Sequence, residues 1–78
     1  MTPQEITHAI CKSLKLPKLD AAARMGGVRG WDSLRHVRLM LDLEKAFQVK
    51  IPVEEFGELT SVESIVSYLT ASAGLKAE

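Results

Sequence analysis

The sequence is poor in the residues that build metal and redox centres. Cys11 is its single cysteine, which excludes an internal disulfide and leaves any metal site short of ligands. His8 and His36 are its two histidines, and they do not make up that shortage, so no metal is expected. Charge of one sign is also missing: ten basic residues balance ten acidic ones. Without a net field, non-specific binding to nucleic acid or to an anionic membrane is not expected. No apolar run is long enough to span a bilayer, and "MTPQEITHAICK" lacks the segments of a signal peptide, so the expected compartment is the cytoplasm. No repeat or low-complexity tract is present, and no segment alternates at period two for the length of a strand.

What remains is a chain of 78 residues, 46% hydrophobic and 26% charged, an ordinary composition for one globular domain. A domain of that size buries only about 60% of its unfolded surface and has no room for a catalytic cleft between two layers. Helix signals divide it. Thr2, Pro3 and Glu5 form a helix start, with Thr2 and Glu5 spaced as a capping box and Pro3 suited to the first helical position. Ile6, Ala9, Ile10, Ser13 and Leu14 follow at helical spacing, so helix 1 is expected at about 3–14. "KLPKLDAAARMGGVRGW" reads as a long loop broken by Pro17, Gly26, Gly27 and Gly30. A loop of that length either has a task or lies packed over the core, and Leu16, Leu19, Met25, Val28 and Trp31 can supply the packing. Helix 2 is expected at about 33–47 with Asp32 as N-cap. A short helix at about 54–57 lies between Pro52 and Gly57. A last helix at about 61–71 begins with a capping box of Thr60 and Glu63, carries the stripe Val62, Ile65, Val66 and Leu69, and leaves "ASAGLKAE" as a frayed tail. The expected fold is therefore all-α, one domain over 1–78. It is a small four-helix bundle of three main helices and one short one, with a long loop between helices 1 and 2.

Helix 2 has too many apolar residues for one face. At about 100° per residue, Leu39, Met40, Leu43, Ala46 and Phe47 share one arc, while Leu34, Val37 and Leu41 fall on the opposite side. The larger arc suits the core. The second is an apolar strip rimmed by charge, expected to be a docking surface unless the long loop folds over Leu34 and Val37. Ser33 stands in the first turn, where unpaired N–H groups and the positive end of the helix dipole favour an attached phosphate. By itself such a serine is usually part of a cap. No histidine or acid is spaced to make it a nucleophile, since His36 points toward the core arc. Cys11 lies off the helix 1 stripe and reads as a spectator thiol.

These residues carry a family resemblance. "GWDSLRHVRLMLDLEKAFQVKIPVEEFGELTSVESIVSYL", Gly30 to Leu69, resembles an acyl carrier protein. Asp32-Ser33-Leu34 matches the attachment motif, Leu39, Leu43, Glu44 and Phe47 the second helix, Ile51-Pro52 its exit, and "LTSVESIVSYL" the last helix. Helix 1 and the loop fit in order and length. The three-letter motif is weak alone, and its spacing to Ile51-Pro52 and to Thr60-Ser61-Val62 makes the match specific. The resemblance implies that a phosphopantetheinyl transferase joins 4′-phosphopantetheine from coenzyme A to Ser33 through a phosphodiester. The arm's thiol then holds acyl groups as thioesters for delivery to partner enzymes. It implies a cytoplasmic, monomeric phosphoprotein that is not an enzyme. Its partners are that transferase, an acyl- or aminoacyl-loading ligase, and enzymes that use the acyl group. Asp32 is implied to cap the helix and aid recognition by the transferase, and Leu34, Val37 and Leu41 to meet partners. Trp31 is expected to pack in the loop and shield the base of the arm.

The chain departs from fatty-acid carriers of this family, whose second helix is strongly acidic. Asp32, Asp42 and Glu44 are balanced here by Arg35, Arg38 and Lys45. Arg35 and Arg38 beside the strip disfavour the partners of acidic carriers. They point to a specialised stand-alone member in a fatty-acid, polyketide or secondary-metabolite pathway. Arg29 stands where many carriers have a loop leucine, leaving Val28 or Met25 to plug the core. An aminoacyl or peptidyl carrier of a non-ribosomal peptide-type system is the near alternative, although Asp32 before the serine favours acyl cargo. An unmodified helical adaptor binding through Leu34, Val37 and Leu41 is the alternative of another class. A hydrolase using Ser33 lacks a base and a pocket.

Overall fold

The computed structural model describes the backbone of residues 2–76 and the side chains of residues 2–71. Four helices follow one another, α1 (Pro3–Leu14), α2 (Ser33–Phe47), α3 (Val53–Phe56) and α4 (Val62–Lys76), with no strand among the described residues. The fold is the all-α bundle expected, with the long loop between α1 and α2. α1 packs against both α2 and α4, and α3 leans on α2. No helix among the described residues is long and apolar enough to cross a membrane.

The ends of α1 are closed by local chemistry. The Thr2 hydroxyl accepts from the Glu5 N–H at 3.1 Å while the Glu5 carboxylate accepts from the Thr2 N–H at 2.8 Å. These two bonds hold donors that no helical carbonyl can reach. At the other end Lys15 adopts a left-handed conformation, φ 59°, so that the Leu16 N–H returns to the Cys11 carbonyl at 2.9 Å. The apolar stripe then sinks Ile6, Ile10 and Leu14 into the core against Leu39, Met40 and Leu43 of α2 and Ile65 and Leu69 of α4. Each of these side chains contributes about 2 kcal/mol by leaving water.

Four details differ from the sequence reading. Cys11, off the α1 stripe and outside the main core cluster, is nevertheless buried, because the loop returns over that side of α1. Ala46 is exposed: it sits at the edge of its arc, where α1 passes without covering it. The start of α4 is capped by Ser61 and not by Thr60. The Ser61 hydroxyl accepts from the Ser64 N–H at 3.1 Å, and the Ser64 hydroxyl accepts from the Ser61 N–H at 3.1 Å. Thr60 is unavailable for that role because the loop pairs with it, Met25 N–H donating to the Thr60 carbonyl at 2.8 Å. The helix also runs to Lys76 rather than stopping near 71. Ala71 and Ala73 are strong helix formers, and Gly74 close to the end weakens a helix without stopping it. Of the expected frayed tail, residues 77 and 78 lie outside the described residues.

The loop is not slack. Leu16, Leu19, Ala23, Met25 and Val28 pack on the core, Arg29 stays exposed, and Trp31 is buried beneath the start of α2. Val28 and Met25 thus both face the core while Arg29 points to solvent. Ala23 and Ala21 carbonyls accept the Val62 and Glu63 N–H groups at 2.9 and 3.1 Å, so the loop occupies two donors of the first turn of α4. Gly26 and Gly30, at φ 86° and 92°, make the turn that brings the Gly26 N–H to the Trp31 carbonyl at 2.9 Å. Both positions require the left-handed backbone that glycine adopts freely.

Candidate functional site

α2 begins where the Asp32 carboxylate accepts the Arg35 N–H at 2.9 Å and the Asp32 carbonyl accepts the His36 N–H at 2.8 Å. Those bonds leave the N–H groups of Ser33 and Leu34 without a protein partner among the described residues. Ser33 is exposed beside them. Its hydroxyl therefore stands in solvent at the positive end of a helix of 15 residues, a setting that stabilises a phosphate ester.

The hydroxyl has no base to activate it. His36, three residues along, is buried, and both its ring nitrogens are engaged. Trp31 Nε1–H donates to His36 Nδ1 at 3.0 Å, and His36 Nε2 lies 2.9 Å from the Phe56 carbonyl. An indole can only donate and a carbonyl can only accept, so the ring is the neutral tautomer with its proton on Nε2. His36 is thus a tie between the loop, α2 and α3. It also explains the depth of Trp31, whose N–H could not otherwise be buried without loss. The sequence reading turned His36 inward but did not pair it with Trp31, because no spacing rule marks a bond between a loop indole and a helix imidazole.

The Leu34, Val37 and Leu41 strip is open to solvent, with exposures of 80%, 45% and 52%. The loop does not fold over it. Arg35 and Arg38 stand exposed as well, so Asp32, Ser33, Leu34, Arg35, Val37, Arg38 and Leu41 are each accessible along α2. The sequence reading missed Val53 on α3, another large apolar side chain left in solvent at 75% exposure. Glu44 faces elsewhere: its carboxylate accepts the Ile51 N–H at 2.6 Å and fixes the chain as it leaves α2. Burial pushes the Cys11 thiol above its ordinary value, with nearby backbone groups of Cys11 and Leu19 pulling it part of the way back. Such a thiol is a poor nucleophile. No group of three or more metal-binding side chains occurs among the described residues.

Comparison with known proteins adds to this geometry. The family model described as "Phosphopantetheine attachment site" matches residues 4–69. A curated relative, the "Acyl carrier protein" of Rickettsia bellii (strain RML369-C), is 33% identical over 55 residues. That match covers 70% of this chain and 64% of the relative, so the chain spans a little under two thirds of that protein's length.

Proposed function

Because this chain belongs to the phosphopantetheine-binding acyl carrier family, we propose that it carries acyl groups as thioesters on 4′-phosphopantetheine joined to Ser33. The residues present fit such a group. An exposed hydroxyl at the start of α2, beside two free backbone N–H groups, can receive a phosphodiester and hold its negative charge. The observation that carries the reading is the exposure of Ser33 at that helix end with an open apolar strip starting one residue later. Asp32 caps the turn that presents the hydroxyl and gives the transferase a fixed carboxylate to recognise. His36 has both nitrogens occupied and is no base for Ser33, which suits modification by a separate phosphopantetheinyl transferase, and the family match makes the chain a carrier and not an enzyme.

Leu34, Val37 and Leu41 form the surface that meets the transferase, a loading ligase and the enzymes that take the acyl group. Arg35 and Arg38 on its margin select against the partners of acidic carriers, which favours a specialised carrier in a fatty-acid, polyketide or secondary-metabolite pathway. A cytoplasmic monomer suits that task.

The test is direct. After incubation with coenzyme A and a broad-specificity transferase, mass spectrometry of the intact protein is expected to show one phosphopantetheine increment, absent in Ser33→Ala. A folded, unmodified protein in the presence of a competent transferase would instead support an adaptor that binds through the strip alone.

A further inference from the structure

The molecule has no net charge, yet its charges are not mixed. Half of its ten lysines and arginines, Lys12, Lys15, Arg35, Arg38 and Lys45, line one open groove between α1 and α2, and Asp42 is the single carboxylate lining it among the described residues. Asp42 is already engaged, accepting the Ser13 hydroxyl at 2.6 Å. All five cations belong to exposed residues. Within a Debye length of about 8 Å such neighbours repel one another unless an anion lies among them.

Arg35 is the most telling of the five. It occupies the third position of α2, where a glutamate would complete a capping box with Asp32, and α2 has no acidic residue in its first turn. A cation there opposes the helix dipole at a cost of about 0.3–1 kcal/mol. Local helix chemistry thus argues against an arginine at this position, where its guanidinium makes only a long 3.4 Å bond to the Gly30 carbonyl, and the groove gives it neighbours of the same sign. The floor between the cations is apolar, made by Leu14, Leu43 and Ala46, and the exposed Ala46 leaves the space that a larger residue would fill.

We propose that this groove is a recognition face for an acidic, amphipathic segment of a partner protein. Its carboxylates lie against Lys12, Lys15, Arg35, Arg38 and Lys45, and its apolar side rests on the floor. Length decides against a small anion: from residue 35 to residue 45 a helix rises about 15 Å, and a single phosphate or carboxylate meets at most two of the cations along it. Carboxylates spaced along one helix match that row, and arginine binds them in bidentate pairs. The groove's own aromatic content decides against a nucleic acid, since no aromatic side chain lines it to stack a base. The groove adds α1 to the docking surface assigned to α2. Its biological use rests on the carrier reading, and its chemistry rests on the groove alone.

The test is a titration of the isotopically labelled full chain at low salt, followed by the backbone amide signals. The probes are a synthetic helical peptide of leucine and glutamate, the same peptide with lysine for glutamate, inorganic phosphate and a thymidine oligonucleotide. The glutamate peptide is expected to shift amides of the second half of α1 and of α2, and the lysine peptide to shift none. A double variant, Lys12→Glu with Lys15→Glu, lies outside the strip and the attachment site. It is expected to weaken the peptide about tenfold or more while remaining folded by circular dichroism and accepting phosphopantetheine at Ser33. Absence of peptide binding, wild-type affinity in the double variant, or equal affinity for the oligonucleotide or phosphate overturns the proposal. An unmodified Ser33 in the wild type overturns the carrier reading instead, whatever the peptide does.

Discussion

At the scale of single residues, burial separates two apolar faces that composition cannot tell apart. Leu43 is fully buried and Val37 is 45% exposed, although both are aliphatic residues of the same helix. Leu43→Glu places an unpaired carboxylate in the core and is expected to unfold the domain. Val37→Glu is expected to change the urea midpoint by no more than about 0.5 kcal/mol equivalent, as for other exposed positions, while weakening partner docking. Equal loss of stability in the two variants would make the strip part of the core. Cys11 offers a prediction in pH. Its folded thiol is raised from an ordinary value of 9.0, so folded and unfolded chains hold the same proton at neutral pH. Above about pH 9 the unfolded thiol ionises first and stability falls as pH rises toward the folded value. Cys11→Ala removes that dependence. The drop in unfolding free energy between pH 8 and pH 10 is therefore expected to be larger in the wild type than in the variant, and identical drops would show that the thiol is not linked to folding.

At the scale of elements, the termini of the helices explain what the sequence disclosed and what it concealed. Thr2 with Glu5, and Asp32 before Ser33, are local patterns, and both close their helices through bonds within three residues. At the start of α4 the sequence pattern is Thr60 with Glu63, whereas the bonds formed are those of Ser61 with Ser64. The choice between them was made by a distant partner, the Met25 N–H on the Thr60 carbonyl, which no local pattern contains. The same holds for the groove. Arg35, Arg38 and Lys45 could be read along α2, but Lys12 and Lys15 join them only because α1 packs alongside. Arg35→Glu tests the cost of this arrangement. Exchange of a cation for a capping-box carboxylate at the positive end of α2 is expected to raise stability by about 0.5–1 kcal/mol in chemical denaturation, while weakening acidic partners. A destabilised variant would mean that Arg35 is held for the fold. Gln48, at φ 54°, ends α2 in the left-handed region without being glycine, and Gln48→Gly is expected to add about 0.5–1 kcal/mol by relieving that strain.

At the scale of the whole molecule, the loop is the part that a reading by segments understates. Four-helix order follows from periodicity and breakers, whereas a stretch without periodicity gives no sign of what it pairs with. Here it ties together the three helices that follow it in sequence. Trp31 reaches His36 and, through it, the Phe56 carbonyl, while Ala21 and Ala23 supply carbonyls to the first turn of α4. The site depends on this arrangement, because the turn at Gly30 and the buried Trp31 set where α2 starts and hence where Ser33 emerges. First turns of helices ordinarily fray and exchange their amide hydrogens through small local openings. The Val62 and Glu63 amides cannot open that way without releasing the loop, and the loop cannot leave without uncovering Met25, Val28 and Trp31. Their exchange is therefore expected to follow global unfolding, within about tenfold of the buried Ile65 amide. The Ser33 and Leu34 amides, unpaired at the start of α2, are expected to exchange at nearly the rate of an unfolded chain. Rapid exchange at Val62 and Glu63 would mean that the loop opens independently of the core, and the position of Ser33 would then be set by α2 alone.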